Sequence, residues 1–446
     1  MKCLSAWSIV SLLASSRACL LPEETGRGPL RAVRRQFTNN SGIPVGPGDR
    51  FNGGTIAPRG LGTQKPDTNL GSLLNVQEIK SALDGLANQY GFDTFTTPYM
   101  TYENASIFGA KIGGRRKSKH GPRVFFNAAI HARERGSSDN LLYFISDLLY
   151  ANKHKTGLTY GGRTYSSCEV GKALSTGIVF VPLSNPDGVA YDQATNSCWR
   201  KNRNPAAATP GDPTSVGIDL NRNFDFLWDF PNLFEPSVGP NAASSDPRAQ
   251  DYHGTSAFSE PETKSIKWVM HIFSDISWYV DIHSFAGVIL YSWGSDENQS
   301  RNPGMNFMNS SYGDVRGLMP DKPEEGIMYS EYTPNKDWAE NIYTAMKIGH
   351  AMDATIGRHY EVTQAAYLYP TSGASDDYSY SRHFINPSLN KIHGFTVEFG
   401  FGNEDASCPF YPTLEQYHQN ILETSAGFME LLLSAADAEL GKNTCH

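Results

Sequence analysis

Val124-Phe-Phe-Asn-Ala-Ala-Ile130, running directly into His131-Ala-Arg-Glu134, decides how this chain is read. Seven residues that are apolar except for Asn127 make a strand buried on both faces. Such strands belong to sheets covered by helices on either side. The polar residues begin where the strand ends, and in α/β sheets the carboxyl ends of strands are where sites are built. A His and a Glu three apart can offer an imidazole nitrogen and a carboxylate oxygen to one ion, and both are zinc ligands. Of the twelve histidines only His131 has Glu at the third following position. Taken alone, the pair is better read as a salt-bridged surface histidine.

Working outward, apolar runs and amphipathic stretches alternate. Val76, Ile79, Leu83 and Leu86 recur at helical spacing behind Asn75, and Leu141–Leu149 reads as a helix after the first strand. Ile178–Leu183 is a further strand. Ser259 and Glu262 have the spacing of a capping box for a helix running through Phe273. Trp278-Tyr-Val-Asp-Ile282 is an apolar strand ending in His283-Ser284, so a second histidine stands at a strand mouth. His131, Glu134 and His283 could then hold one Zn2+ and leave a fourth position open, the mark of a catalytic rather than a structural site. Val288–Tyr291 and Phe395–Phe399 are further strands, and Thr413–Leu433 is a long closing helix. The pattern predicts an α/β fold: a three-layer α/β/α sandwich with a mixed central sheet and helices on both faces. It spans one domain from about residue 71 to 440, with residues 441–446 as a tail.

The 446 residues carry a net charge of −8 and are 39% hydrophobic, 12% aromatic and 19% charged. That apolar content excludes a wholly disordered chain, and the acidic balance argues against a nucleic-acid binder. Residues 1–19 have the basic start, short apolar stretch and small-residue exit of a signal peptide, and no later run is long enough to span a membrane. The expectation is a secreted monomer. Cys3 and Cys19 fall in or beside the signal, leaving Cys168, Cys198, Cys408 and Cys445 for two bridges. Proximity in sequence favours Cys168–Cys198 and Cys408–Cys445, although three pairings are open. Asn39, Asn104, Asn298 and Asn309 begin glycosylation sequons. Residues 20–70 are rich in Gly, Pro, Arg and Asn without periodic apolar residues, and read as a flexible leader carrying a dibasic pair at Arg34-Arg35.

Seven motifs occur in order: His131-Ala-Arg-Glu134, Asn185-Pro-Asp-Gly188, Trp199-Arg-Lys201, Asp219-Leu-Asn-Arg-Asn223, Ile282-His-Ser284, Ser372-Gly-Ala-Ser-Asp-Asp377 and Phe395-Thr-Val-Glu398. Together they resemble the zinc metallocarboxypeptidase family that includes pancreatic carboxypeptidases A and B, over a region from about Asn75 to Leu433. The resemblance implies His131, Glu134 and His283 as zinc ligands, with Asp219 fixing the tautomer of His131. It implies Glu398 as general base on the attacking water and Arg200 as the oxyanion stabiliser. Asn221 and Arg222 would grip the terminal carboxylate of a peptide or protein, Tyr369 would close over the bound residue, and Arg133 would line the adjoining subsite. Asp376 falls where A-type members carry an apolar residue and B-type members an Asp, which implies a preference for terminal Lys or Arg. A catalytically silent binding protein on the same scaffold is disfavoured, because the base and all three ligands are present. The chain also departs from the family pattern. The leader is too short for the folded prodomain of the digestive members, no Cys lies in the loops at 204–217 and 226–247, and Ala374 stands in place of a Gly.

Overall fold

A computed structural model describes residues 41–63, 70–114, 121–326 and 328–440, together with Leu20, Leu21, Glu24 and Cys445. The expected signal peptide, the Arg34-Arg35 pair and Asn39 lie outside the described residues.

The frame is an eight-stranded mixed sheet. In chain order its strands are β1 (Thr94–Met100), β2 (Ser106–Ile112), β3 (Val124–Ala128), β4 (Ile178–Val181), β5 (Trp278–Ser284), β6 (Val288–Tyr291), β7 (Glu361–Gln364) and β8 (His393–Phe399). Their spatial order is β1-β2-β4-β3-β5-β8-β6-β7. The central four, β4, β3, β5 and β8, run parallel, with antiparallel joins to β2 on one side and β6 on the other. Every residue of β3, β4, β5 and β8 is buried, as the continuous apolar runs require. Three-layer α/β/α architecture is therefore the observed one. The β1–β2 hairpin escapes the sequence pattern because β1, Thr94-Phe-Thr-Thr-Pro-Tyr-Met100, is a largely exposed edge strand with little apolar signal.

Helices α1 (Val76–Tyr90), α2 (Ser137–His154), α3 (Ser167–Ser175), α4 (Pro186–Thr195), α5 (Pro261–Ile272), α6 (Asn335–Ile356), α7 (Ser375–Ile385) and α8 (Leu414–Leu440) cover the sheet. One core lies where α1, α2, α6 and α8 pack on the face carrying Phe126, Val280 and Phe395. A second lies beneath α5 and α7, on the face carrying Phe125, Val179 and Tyr279. No helix among the described residues is long and apolar enough to cross a membrane.

Three expectations need correction. The bridges are Cys168–Cys445, with Cα atoms 5.7 Å apart, and Cys198–Cys408, at 5.5 Å. The chain end runs back along α8 to α3, where Lys172 pairs with Asp437, and this brings Cys445 to Cys168. Tyr411 brings the loop after β8 to Cys198 by accepting its N–H at 2.8 Å. Second, residues 41–63 are not a flexible leader. Ile43, Phe51 and Leu61 enter the first core, Arg50 grips both Glu78 oxygens at 2.7 and 3.0 Å, and a Cβ on Gly85 would meet the Ile56 carbonyl at 2.2 Å. This segment crosses α1 so closely that only Gly fits at 85. Its turns hide that packing from any periodicity. Third, Ser259 does not cap α5. The N-cap is Glu260 with Pro261 at the first helical position, and Ser259 Oγ donates to Glu260 instead. The Asn75–Glu78 pair ahead of α1 does form a capping box. Of the sequons, Asn104 is exposed, whereas the Asn298 and Asn309 amides donate to Ser292 and Gly304 carbonyls.

Glu262 is buried beside Glu260, with Asn202 donating to it at 3.2 Å. Burial first, and the Glu260 charge second, push its carboxyl up to about 8. The folded chain thus holds a proton that the unfolded chain releases near pH 4.3, so stability is lost as pH rises between those values, by at most about 1.4 kcal/mol per pH unit. Asp147, pushed up to about 7 by burial, acts in the same direction. The melting temperature should fall between pH 5 and pH 8, and Glu262→Gln should flatten that decline. An unchanged slope in the variant would count against this assignment.

Candidate metal centre and cleft

The alternation of β5 sorts its side chains. Trp278, Val280 and Ile282 face the first core, while Tyr279, Asp281 and His283 face the other side. Parallel register then sets His283 opposite Glu398 on β8, and Asp281 opposite both Asn127 on β3 and Thr396 on β8. His131 and Glu134 follow β3 at the same sheet edge. Four residues from three separate stretches thus converge at the carboxyl ends of adjacent parallel strands.

His131 Nδ1 lies 2.7 Å from Glu134 Oε1 and 3.1 Å from His283 Nδ1, and His283 Nδ1 lies 3.0 Å from Glu134 Oε2. All three residues are buried. Two imidazoles and a carboxylate turned toward one point form a donor set that fits Zn2+. Burial alone would raise the Glu134 carboxyl, but the His131 and His283 imidazoles outweigh it and hold the group well below the usual range.

Each imidazole keeps its Nε2 for a carboxylate. His131 Nε2 lies 3.0 Å from Asp219 Oδ1, and His283 Nε2 lies 3.3 Å from Asp281 Oδ2. Asp219 also receives Arg200, whose Nε and Nη2 donate to Oδ2 at 3.1 and 2.8 Å. Burial opposes the charge on Asp219, yet Arg200 and then His131 hold it well below the normal range. Asp281 is a residue the sequence reading did not single out. Its signal was available, since a residue two before His283 on a strand shares its face.

Beside the metal centre a cleft of about 410 Å³ is lined by Arg200, Arg222, Tyr369, Asp376 and Glu398, with apolar wall from Leu290 and Leu368. Arg222 donates through Nη1 to the Asn221 carbonyl at 2.7 Å and through Nη2 to Tyr369 Oη at 3.3 Å, while its Nε has no partner. Asn221 Oδ1 accepts the Ser375 N–H at 2.8 Å, which turns its NH2 toward His283. Asp376, in the first turn of α7, accepts from Thr396 Oγ1 at 3.0 Å and from the Asp377 N–H at 2.9 Å. Burial raises its carboxyl above the usual range. Arg133, expected to line the adjoining subsite, is fully buried and is not part of the cleft wall. Its two Nη atoms each donate at 2.8 Å to half-buried Glu24, and its guanidinium stacks 4.4 Å from the Phe410 ring centre. Glu24 likewise lay outside the sequence reading, because nothing in its local pattern marks a residue 109 positions from Arg133 as its partner.

The sheet and this donor set define a mononuclear metal centre opening on an arginine-lined cleft. The chain belongs to the zinc carboxypeptidase family, whose profile matches residues 79–426. Carboxypeptidase B of Helicoverpa zea is 30% identical over 250 residues, covering 55% of this chain and 51% of that protein. Zinc carboxypeptidase A 1 of Anopheles gambiae is 28% identical, covering 68% and 56%. The chain thus spans about half the length of these relatives. Among solved structures, carboxypeptidase A of Helicoverpa armigera superposes with a TM-score of 0.59 at 22% identity, covering 83% of this chain and 75% of that one. Bovine thrombin-activatable fibrinolysis inhibitor, in complex with tick carboxypeptidase inhibitor, gives 0.57 at 19% identity, covering 82% and 98%. At these identities the superpositions speak for the fold.

The purified chain should bind one zinc per molecule by elemental analysis. His283→Ala or Glu134→Ala should reduce that below about 0.1 under the same dialysis, and chelation of the parent should lower its melting temperature by several degrees. Full zinc content in both variants would remove these residues from the metal centre.

Proposed function

We propose that this chain is a secreted zinc-dependent carboxypeptidase that removes the last residue of peptides or proteins, with preference for Lys or Arg. The observation that carries the reading is one cleft lined by Glu398, Arg222, Asp376 and His131, the last of which belongs to the His131–Glu134–His283 donor set. A zinc ion held by the donor set would acidify a water ligand and polarise the scissile carbonyl. Glu398, beside His131 in the cleft wall, takes the proton from the attacking water and passes it to the departing amine. Arg200, aimed by Asp219, supplies positive charge where the carbonyl oxygen becomes an oxyanion. Arg222 offers its unpaired Nε to the terminal carboxylate, which internal segments of a peptide lack, so cleavage is confined to chain ends. Tyr369, already within reach of Arg222, closes the pocket over the last side chain.

Asp376 supports the basic preference. It is satisfied only by neutral donors, and among the described residues no ion pair involves it. A guest ammonium or guanidinium would draw this carboxyl into its charged form and pair with it away from bulk water. The second reading, preference for an apolar residue, is favoured by the walls at Leu290, Ala365 and Leu368 and by the upward shift of Asp376. Export is supported by the two disulfides and by the signal-like residues 1–19.

Peptides differing only in a terminal Arg or Phe separate the two readings. The parent should favour Arg, and Asp376→Ala should shrink that preference by about 30-fold, or about 2 kcal/mol. Faster release of Phe by the parent would establish the apolar reading. Glu398→Gln should lower kcat by roughly 10²–10⁴ while retaining zinc. A substrate that engages Arg133 must displace Glu24, so Glu24→Ala should lower KM by up to about 10-fold for peptides long enough to reach it. A KM unchanged at every length would mean that Arg133 takes no part in binding.

A further inference from the structure

We propose that Asp281 is a positioning residue for the metal centre, fixing His283 as a ligand and setting how tightly the ion is retained. This rests on the reading of His283 as a zinc ligand. His283 directs Nδ1 at Glu134 and His131, which leaves Nε2 to carry the ring proton. Asp281 Oδ2, at 3.3 Å, and Asn221 Nδ2, at 3.5 Å, face that nitrogen. The Asn221 carbonyl oxygen is committed to the Ser375 N–H, so Asn221 presents a donor, and Asp281 is the acceptor of the two. A hydrogen bond from ring N–H to carboxylate fixes the tautomer that bares Nδ1, orients the ring, and makes the bound nitrogen more basic.

The carboxylate is itself aimed. Asn127 Nδ2 donates to Oδ1 at 2.9 Å from β3, and Ser375 Oγ donates to Oδ2 at 2.5 Å from the first turn of α7. Asp281 is fully buried, and alternation along β5 puts it on the same face as His283 two residues later. The two buttressed histidines are not equivalent. Asp219 divides its charge between His131 and the Arg200 guanidinium. Asp281 has neutral partners in Asn127 and Ser375, and among the described residues its only ion pair is with His283. Its negative charge is therefore not shared with a second cation, as that of Asp219 is.

The test uses the zinc-loaded full chain. Asp281→Asn keeps the shape and the Asn127 and Ser375 neighbours but removes the charge. Zinc release to a chelator should become 10–100-fold faster, and the visible absorption of the cobalt-substituted protein should shift, while the metal-free form melts close to the parent. Ser375→Ala, which leaves the charge but loosens its aim, should move release in the same direction by less. Release rates and cobalt spectra matching the parent in Asp281→Asn would overturn the proposal. If that variant does not fold, parental release in Ser375→Ala overturns it instead. A parent that retains no zinc, or retains it equally after His283→Ala, defeats the reading of the metal centre itself, a result separable from either of these.

Discussion

Parallel register between β3, β5 and β8 is the constraint from which the rest of the site follows. A strand alternates its side chains with a period of two, so one residue of slippage would turn His283 and Asp281 into the opposite core and bring Ile282 into the cleft. The register is held from both sides of the sheet. Val280 and Ile282 pack with Phe126, Phe395 and Val397 in the first core, while Tyr279 packs with Phe125 in the second. Dry packing on both faces is thus what aligns Asn127, Asp281 and Thr396 in a row and sets His283 opposite Glu398. The polar machinery occupies the one end of these strands where the hydrophobic cores stop.

Such a centre gathers many charges in little space, and their pairing keeps it folded. An unpaired buried ion costs several kcal/mol, whereas a pair with further hydrogen bonds recovers much of that penalty. Arg200 sits on Asp219, Asp219 on His131, and Arg133 on Glu24. Arg135 sits on Asp192, at 2.9 Å, behind the metal centre. Because Asp219 serves both His131 and Arg200, the orientation of a metal ligand and that of a cleft guanidinium are coupled through one side chain.

How far the sequence reveals this depends on the range of the interaction. Val124–Ile130, Trp278–Ile282 and Phe395–Phe399 read as buried strands because the signal is local: short, uninterrupted apolar runs between polar breaks. The structure brings His131, Glu134 and His283 together as the motifs implied, and gathers Arg200, Arg222, Tyr369, Asp376 and Glu398 around one cleft. Features fixed by tertiary meeting were not legible. Cys168 was expected to join the nearer Cys198, but helix packing carries the chain end to it. Residues 41–63 lack periodicity because they bury Ile43, Phe51 and Leu61 one at a time between turns. Asp281 lay in plain view within Tyr279-Val-Asp-Ile-His283, and only the face-sharing rule for strands draws it to the imidazole.

The partnering of cleft charges also bears on what the cleft accepts. Most of its ions are already matched within the chain, so they contribute little net attraction to a guest. Arg222, whose Nε has no hydrogen-bond partner, and Asp376, whose oxygens receive only neutral donors, are in no ion pair among the described residues. One is a cation and the other an acid, and both line the same space. A neutral guest would relieve neither. A guest with a carboxylate alone would satisfy Arg222 and leave Asp376 without a charged partner beside the apolar wall. On the proposed reading, a residue bearing a carboxylate at one end and a cation at the other would satisfy both at once. Selectivity of this kind comes from the penalty that the wrong guest leaves in place as much as from the contacts the right one makes.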